Sequence, residues 1–271
     1  MKNITRTLLS LFALGSLPCS AATLVGQWTF EGGSLADTTG NFVALQLMGN
    51  AAITNGALNV NGSGAGATGW AQTRGSASYP GVGGGLAIGS KTMVSWITLQ
   101  GLEDIAKAGS AMTLGSVSAD QFDGIVFAER NTNRWMNGSD NWLRSPSGQF
   151  DQTAAIETSI DLNTIVQLAI TYEIAAGNVT ITGYRNGVNI GSYTDPDDVT
   201  WAAGDQQVIF GARTFWNGNI YGGLDALIHE ARLYDGALTQ AEIGGLAMVP
   251  EPSAALLGGL GMLALLRRRR A

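Results

Sequence analysis

Residues 165–193 read IVQLAITYEI, AAGN, VTITGYR, NG, VNIGSY, and this stretch decides the fold class. Ile165 to Ile174 is dense in β-branched and aromatic residues, which suit a pleated, half-buried surface. Ala175-Ala176-Gly177-Asn178 carries turn chemistry, and Val179 to Arg185 resumes the strand composition. Asn186-Gly187 is a tight-hairpin dipeptide leading into Val188 to Tyr193. Three consecutive antiparallel strands are therefore predicted. Outward from them, Leu24 to Phe30, Thr92 to Leu99, Gly124 to Glu129, Val208 to Ala212 and Leu227 to Tyr234 have the same character. Thr92 to Leu99 is apolar on both faces, as a strand inside a sandwich is. No helical periodicity persists in the body. The one helix predicted is Thr239 to Ile243, with Thr239 and Glu242 placed as a capping box. The fold class is all-β, and many short strands with close turn signals argue a sandwich or a barrel.

Composition narrows the function classes. The 271 residues include 38 Gly, roughly twice the ordinary share. Charged residues are only 13%, which excludes a solvated disordered tail, a coiled coil and a basic nucleic-acid binder. Between residues 22 and 249 there are 9 basic and 20 acidic side chains, a net of −11. Such a body repels phosphate backbones, so no nucleic-acid partner is expected. It suits divalent cations or neutral polymers.

The two ends read as addresses. Residues 1–22 have the order of a secretory signal: Lys2 and Arg6, the apolar run Leu8 to Leu17, Pro18, and small residues Ser20-Ala21-Ala22. Cys19 is the only cysteine, and Ser16 and Pro18 are wrong for a lipoprotein signal. Cleavage leaves no thiol. At the other end, residues 249–271 hold Pro250-Glu251-Pro252, an apolar run from Ala254 to Leu266, and Arg267, Arg268, Arg269 and Arg270. As a short transmembrane helix the run spans about 20 Å, less than the ~30 Å hydrocarbon core. The arginines stay on the cytoplasmic side and the body outside. This ending resembles the PEP-CTERM sorting signal of Gram-negative bacteria. The resemblance implies an exosortase and the secretion machinery as partners and a transient membrane anchor. Delivery to the outer surface or the extracellular polysaccharide matrix follows.

The body, residues 23–248, resembles the laminin-G-like, or concanavalin A-like, jelly roll, and the resemblance implies a two-sheet antiparallel jelly-roll sandwich. The resemblance rests on Gly26-Gln27-Trp28-Thr29-Phe30-Glu31 followed by Asp37-Thr38-Thr39-Gly40-Asn41, on the hairpin ending in Tyr184-Arg185-Asn186-Gly187, and on Ile228 to Ile243. It implies a structural calcium in the loop of Asp37 and Asn41. His229 departs from the family's pattern, standing where an Asp is usual. Asp195, Asp197 and Asp198 form a second candidate for calcium, but Thr200 and Gln206 exclude an EF-hand.

No catalytic residue is assigned. His229 is the lone histidine, and no G-x-S-x-G is present. Glycosidases need two facing carboxylates, and no strand carries them in alternation. The richest polar and aromatic stretch is Arg130 to Arg144, RNTNRWMNGSDNWLR, with loop composition. Trp135 and Trp142 are predicted to stack on sugar rings. Asn133, Arg134, Asn137, Asp140 and Asn141 supply polar contacts. Trp201, Trp216 and Tyr221 are further aromatic candidates. The expected role is non-catalytic carbohydrate binding or adhesion. A glycosidase or lyase on the same fold, or a purely structural surface protein, are the alternatives.

Overall fold

The computed structural model describes residues 22–61, 69–73, 86–102, 108–137, 156–197 and 200–249. Its strands are β1 (Thr23–Trp28), β2 (Gln46–Gly49), β3 (Ala52–Thr54), β4 (Ala57–Asn61), β5 (Gly69–Gln72), β6 (Lys91–Leu99), β7 (Gly109–Ser116) and β8 (Phe122–Phe127). They continue as β9 (Trp135–Asn137), β10 (Ile165–Ala175), β11 (Asn178–Arg185), β12 (Val188–Asp195), β13 (Gln206–Phe210), β14 (Thr214–Trp216), β15 (Asn219–Tyr221) and β16 (Asp225–Asp235). Helix α1 is Gln240–Gly245.

One sheet runs β12-β11-β10-β6-β16-β4-β3, with β1 also pairing β16. The other runs β2-β5-β13-β7-β8-β9, and β14 and β15 form a separate hairpin. Every strand pairing among them is antiparallel, so the predicted two-sheet sandwich is what forms. The hairpin of residues 165–193 forms the edge of the larger sheet, with Thr171 opposite Thr182 and Gly183 opposite Gly191. The predicted capping box forms as well: Thr239 Oγ1 accepts from the Glu242 N–H, and Glu242 accepts from the Thr239 N–H.

Alternation along the strands sends one set of side chains between the sheets. Met93, Ile97, Leu168, Ile170 and Ile228 of the large sheet meet Leu114, Ile125, Phe127, Val208 and Phe210 of the small one in one buried cluster. Trp28 sits edge-on to Phe210 at 5.5 Å between centroids. Two charges share this interior. Lys91 Nζ lies 2.7 Å from Asp123 Oδ2, both side chains having no exposure. They join β6 of one sheet to β8 of the other. The other face of the large sheet carries Val94, Trp96, Tyr184 and Tyr234, and α1 packs there through the buried Ile243.

Some of the glycine serves close approach. A Cβ on Gly109 would lie 2.1 Å from the Leu224 nitrogen, so β7 can pass residues 223–224 only without a side chain there. The predicted signal segment 1–22, apart from its last residue, and the sorting segment beyond Val249 lie outside the described residues. Among the described residues no helix is long and apolar enough to cross a membrane.

Candidate functional site

Strand β8 is wholly buried, and the chain must turn sharply where it ends. Ala128 takes φ 57 and donates its N–H to the Arg134 carbonyl at 2.9 Å. Asn133 also takes φ 57, and its carbonyl accepts from the Glu157 N–H. The turn places Glu129 at 3% exposure. Facing it is Arg213, at the base of the β14–β15 hairpin. Thr113 Oγ1 donates to the Arg213 carbonyl at 2.8 Å, and the Arg213 N–H donates to the Tyr221 carbonyl at 2.9 Å.

The Glu129–Arg213 contact is loose, with Arg213 Nη1 donating to Glu129 Oε1 at 3.3 Å. Glu129 Oε2 and Arg213 Nε are both buried with no hydrogen-bond partner among the described residues. Burial pushes the Glu129 carboxyl up to about 7, against the pull of Arg213 and then Arg130. Neither of these two atoms has exposed surface, so the pair acts on the base of the hairpin and not on a ligand directly. On the same hairpin, Tyr221 is 40% exposed.

The predicted stretch Arg130 to Arg144 is divided by the structure. Trp135 is corrected: it is 2% exposed and cannot stack on a sugar. It belongs to β9, whose alternation points its ring into the sandwich, 4.6 Å from Phe127. Its Nε1 donates to Glu157 Oε1 at 2.9 Å, the oxygen that also accepts from Arg185 Nε at 2.7 Å. Asn133 and Arg134 stand in the turn beside Glu129, and Arg134 bridges to Ile156. Asn137 pairs through its backbone with Ile125. Asp140, Asn141 and Trp142 lie outside the described residues. Trp201 is 2% exposed, with Lys91 Nζ 5.7 Å from its ring centroid. The residues that sequence reasoning missed are Glu129 and Arg213. The one local signal was an acid closing an apolar strand, GIVFAE.

The Asp37 loop does not fit the expected calcium. Asp37 Oδ1 accepts from the N–H groups of Gln27 and Thr39 and from Thr39 Oγ1. Its Oδ2 accepts from Thr39 Oγ1 and from the N–H groups of Asn41 and Phe42. These donors turn their positive ends to the oxygens a cation would need. Asn41 Nδ2 donates to the Val25 carbonyl at 3.0 Å, tying the loop to β1. Asp37 thus organises the loop by itself. Asp195 accepts from the Asp197 N–H as a turn residue, and Asp198 lies outside the described residues. Among the described residues no three His, Cys, Asp or Glu side chains cluster as a metal site would need. Asp37→Ala is expected to cost about 3 kcal/mol by stranding buried N–H groups. Chelator should leave the parent's melting curve unchanged, and a drop on chelation would restore the metal reading.

Several known proteins resemble this chain. The Laminin_G_3 family, described as the concanavalin A-like lectin/glucanases superfamily, matches residues 86–244. Domain 4 of AbnA, a GH43 extracellular arabinanase from Geobacillus stearothermophilus solved with arabinotriose, superposes with a TM-score of 0.53 at 20% identity. The match covers 82% of this chain and 97% of that one. Trypanosoma rangeli sialidase in complex with sialic acid gives 0.47 at 14% identity, over 81% of this chain and 32% of that one. The CBM40 domain of the Ruminococcus gnavus IT-sialidase, bound to α2,3-sialyllactose, gives 0.40 at 14% identity, over 58% and 81%. At these identities the likeness is one of fold. No curated protein sequence matches the chain.

Proposed function

Because the chain belongs to the concanavalin A-like lectin/glucanases superfamily, we propose that it is an exported surface or matrix protein whose sandwich binds carbohydrate without cleaving it. The observation that carries this reading is the exposed Tyr221 on the β14–β15 hairpin, at a loop end of the sandwich, where Arg213 ties the hairpin base to the buried Glu129. An exposed ring offers a face for the pyranose or furanose, and the buried pair holds the hairpin that presents it. In the AbnA domain of the same fold the ligand is a neutral arabinose oligomer, so neutral oligosaccharides are the class to test first. Export and sorting rest on residues 1–22 and on Pro250-Glu251-Pro252 with the arginines Arg267 to Arg270. Exosortase is the partner for that step.

The other buried carboxylates support a binding role over a catalytic one. Asp123 is held by Lys91, and Glu157 by Trp135 and Arg185. Glu230 accepts from Gln27, Arg232 and the Val249 N–H. Asp37 is saturated by its own loop. A glycosidase pair needs two reactive carboxyls about 5–9.5 Å apart, and these four are engaged elsewhere. Glu129 alone favours the second reading, a glycosidase or lyase, because a carboxyl near neutral pKa suits general acid–base work.

The test is retention of residues 22–249 on insoluble polysaccharides and a glycan array, with a reducing-sugar assay alongside. Retention without sugar release is expected. Tyr221→Ala should weaken it about tenfold, a ring contact being worth about 0.5–1.5 kcal/mol, and Arg213→Gln should weaken it by loosening the hairpin base. Sugar release abolished by Glu129→Gln would establish the enzyme. Neither retention nor release would leave the structural role.

A further inference from the structure

The segment that follows α1 is fastened to the outer face of the large sheet. Arg232 Nη2 donates to the Ala247 carbonyl at 2.6 Å, and the Val249 N–H donates to Glu230 Oε2 at 2.7 Å. Glu230 is 2% exposed and is itself braced, its Oε1 accepting from Gln27 Nε2 and Arg232 Nε. Leu246 and Met248 pack beside Trp96 in the cluster under α1. The strap lies beyond the family match, which ends at residue 244. It fixes Val249, the last of the described residues, against the sheet.

Two apolar side chains are exposed there, Val249 at 44% and Ile165 at 45%. They line a cleft of about 110 Å³ with Met248 and the polar Thr29, Glu31, His229 and Glu230. Ahead of Ile165, at the same end of the large sheet, Ile160 is 86% exposed. It rides a turn held by Thr158, whose N–H and Oγ1 both donate to Asp161, and by Arg185, which donates to Asp161 at 3.0 Å. The braced turn holds Ile160 out in solvent.

We propose that this face, centred on Ile160, Ile165 and Val249, rests against a lipid bilayer while the chain is anchored. The proposal rests on the reading of Ala254 to Leu266 as membrane-inserted. Only Pro250-Glu251-Pro252-Ser253 separates Val249 from that run. Five fully extended steps reach about 17 Å. A body of this size is roughly 45 Å across, from the scaling of radius of gyration with length. A tether so much shorter than the domain, tied to a pinned strap instead of a loose tail, forbids free tumbling. The surface around Val249 must then face the membrane, and Ile160, Ile165 and Val249 stand exposed on it among polar side chains such as Ser159, Asn163 and Thr164. The far end of the β10–β11 hairpin must point away.

The chain from residue 23 onward contains no cysteine, so single cysteines report position cleanly. Ile160→Cys, Ile165→Cys and Asn178→Cys, each carrying a fluorophore, are placed in residues 23–271 on phosphatidylethanolamine/phosphatidylglycerol vesicles with nitroxide-labelled headgroups. Asn178 opens the next strand beyond the β10 turn, about 33 Å along the strand from Ile165. Quenching several-fold stronger at 160 and 165 than at 178 is expected. A Gly-Ser insertion about ten residues long between Val249 and Pro250 should erase the difference without touching the fold. If the protein does not float with the vesicles, the anchor reading fails. If it floats and all three labels are quenched alike, the docking face is wrong.

Discussion

Asp123→Asn or Lys91→Met alone is expected to destabilise the domain by about 3–5 kcal/mol, because each leaves the other charge buried without its partner. The pair is 2.7 Å apart with neither side chain exposed, and it joins the two sheets across the core. Lys91 Nζ also lies 4.3 Å over the Tyr172 ring, which helps an ammonium already stripped of water. The same cost of desolvation means that the pair as a whole adds little net stability. Joint replacement, Lys91→Met with Asp123→Leu, should therefore recover most of the loss. For a domain of this length the single variants should melt about 10 °C lower or more. Denaturant midpoints of the two singles and the double give the coupling directly. Additive losses would mean that each side chain is merely filling space. Singles that cost less than about 1 kcal/mol would mean that water reaches the pair.

The large sheet's hairpins and α1 were legible because their determinants are local. Asn186-Gly187, the alternation of Val179 to Arg185 and the box of Thr239 with Glu242 each act over a few residues. β7 was not predicted, since Gly109 to Ser116 is built of small residues buried on both faces and shows neither period. β14 and β15 are three residues each, too short to carry a pattern. β9 was hidden in a run of arginine and asparagine, and the composition that suggested a loop put Trp135 on the surface. Its burial is decided by Glu157 and Phe127, which the local sequence does not reveal. Asp37 was singled out, but its partners are backbone N–H groups, which every sequence has, so its saturation could not be read. Glu129 was predicted as a strand end. What makes it chemically unusual is a hairpin 84 residues later in the chain, and no local pattern encodes that approach.

That approach predicts a distinctive response to pH. Burial raises the folded Glu129 carboxyl to about 7 from 4.5, and Arg213 and Arg130 are the charges that oppose the rise. Below pH 4.5 both folded and unfolded chains carry the proton, and Glu129 does not affect stability. Between about 4.5 and about 7 the unfolded chain releases the proton while the folded chain keeps it, so stability falls as pH rises. Above about 7 both are ionised, and the loss has levelled off at roughly 3 kcal/mol. Glu129→Gln removes this titration. It should make the domain more stable than the parent at pH 8, and the advantage should vanish toward pH 4.5. The difference between the two proteins isolates Glu129 from other titrating groups. Carbohydrate retention provides the second axis: ionising Glu129 strengthens its attraction to Arg213 at the base of the hairpin, so if that contact holds Tyr221 in its binding position, retention should strengthen above pH 7 in the parent and lose that dependence in the variant. A stability difference that does not change from pH 5 to 8 would place the carboxyl in solvent, and with it would go the bracing of the hairpin. A pH-dependent stability with pH-independent retention would keep the buried glutamate and move the sugar elsewhere on the β14–β15 hairpin.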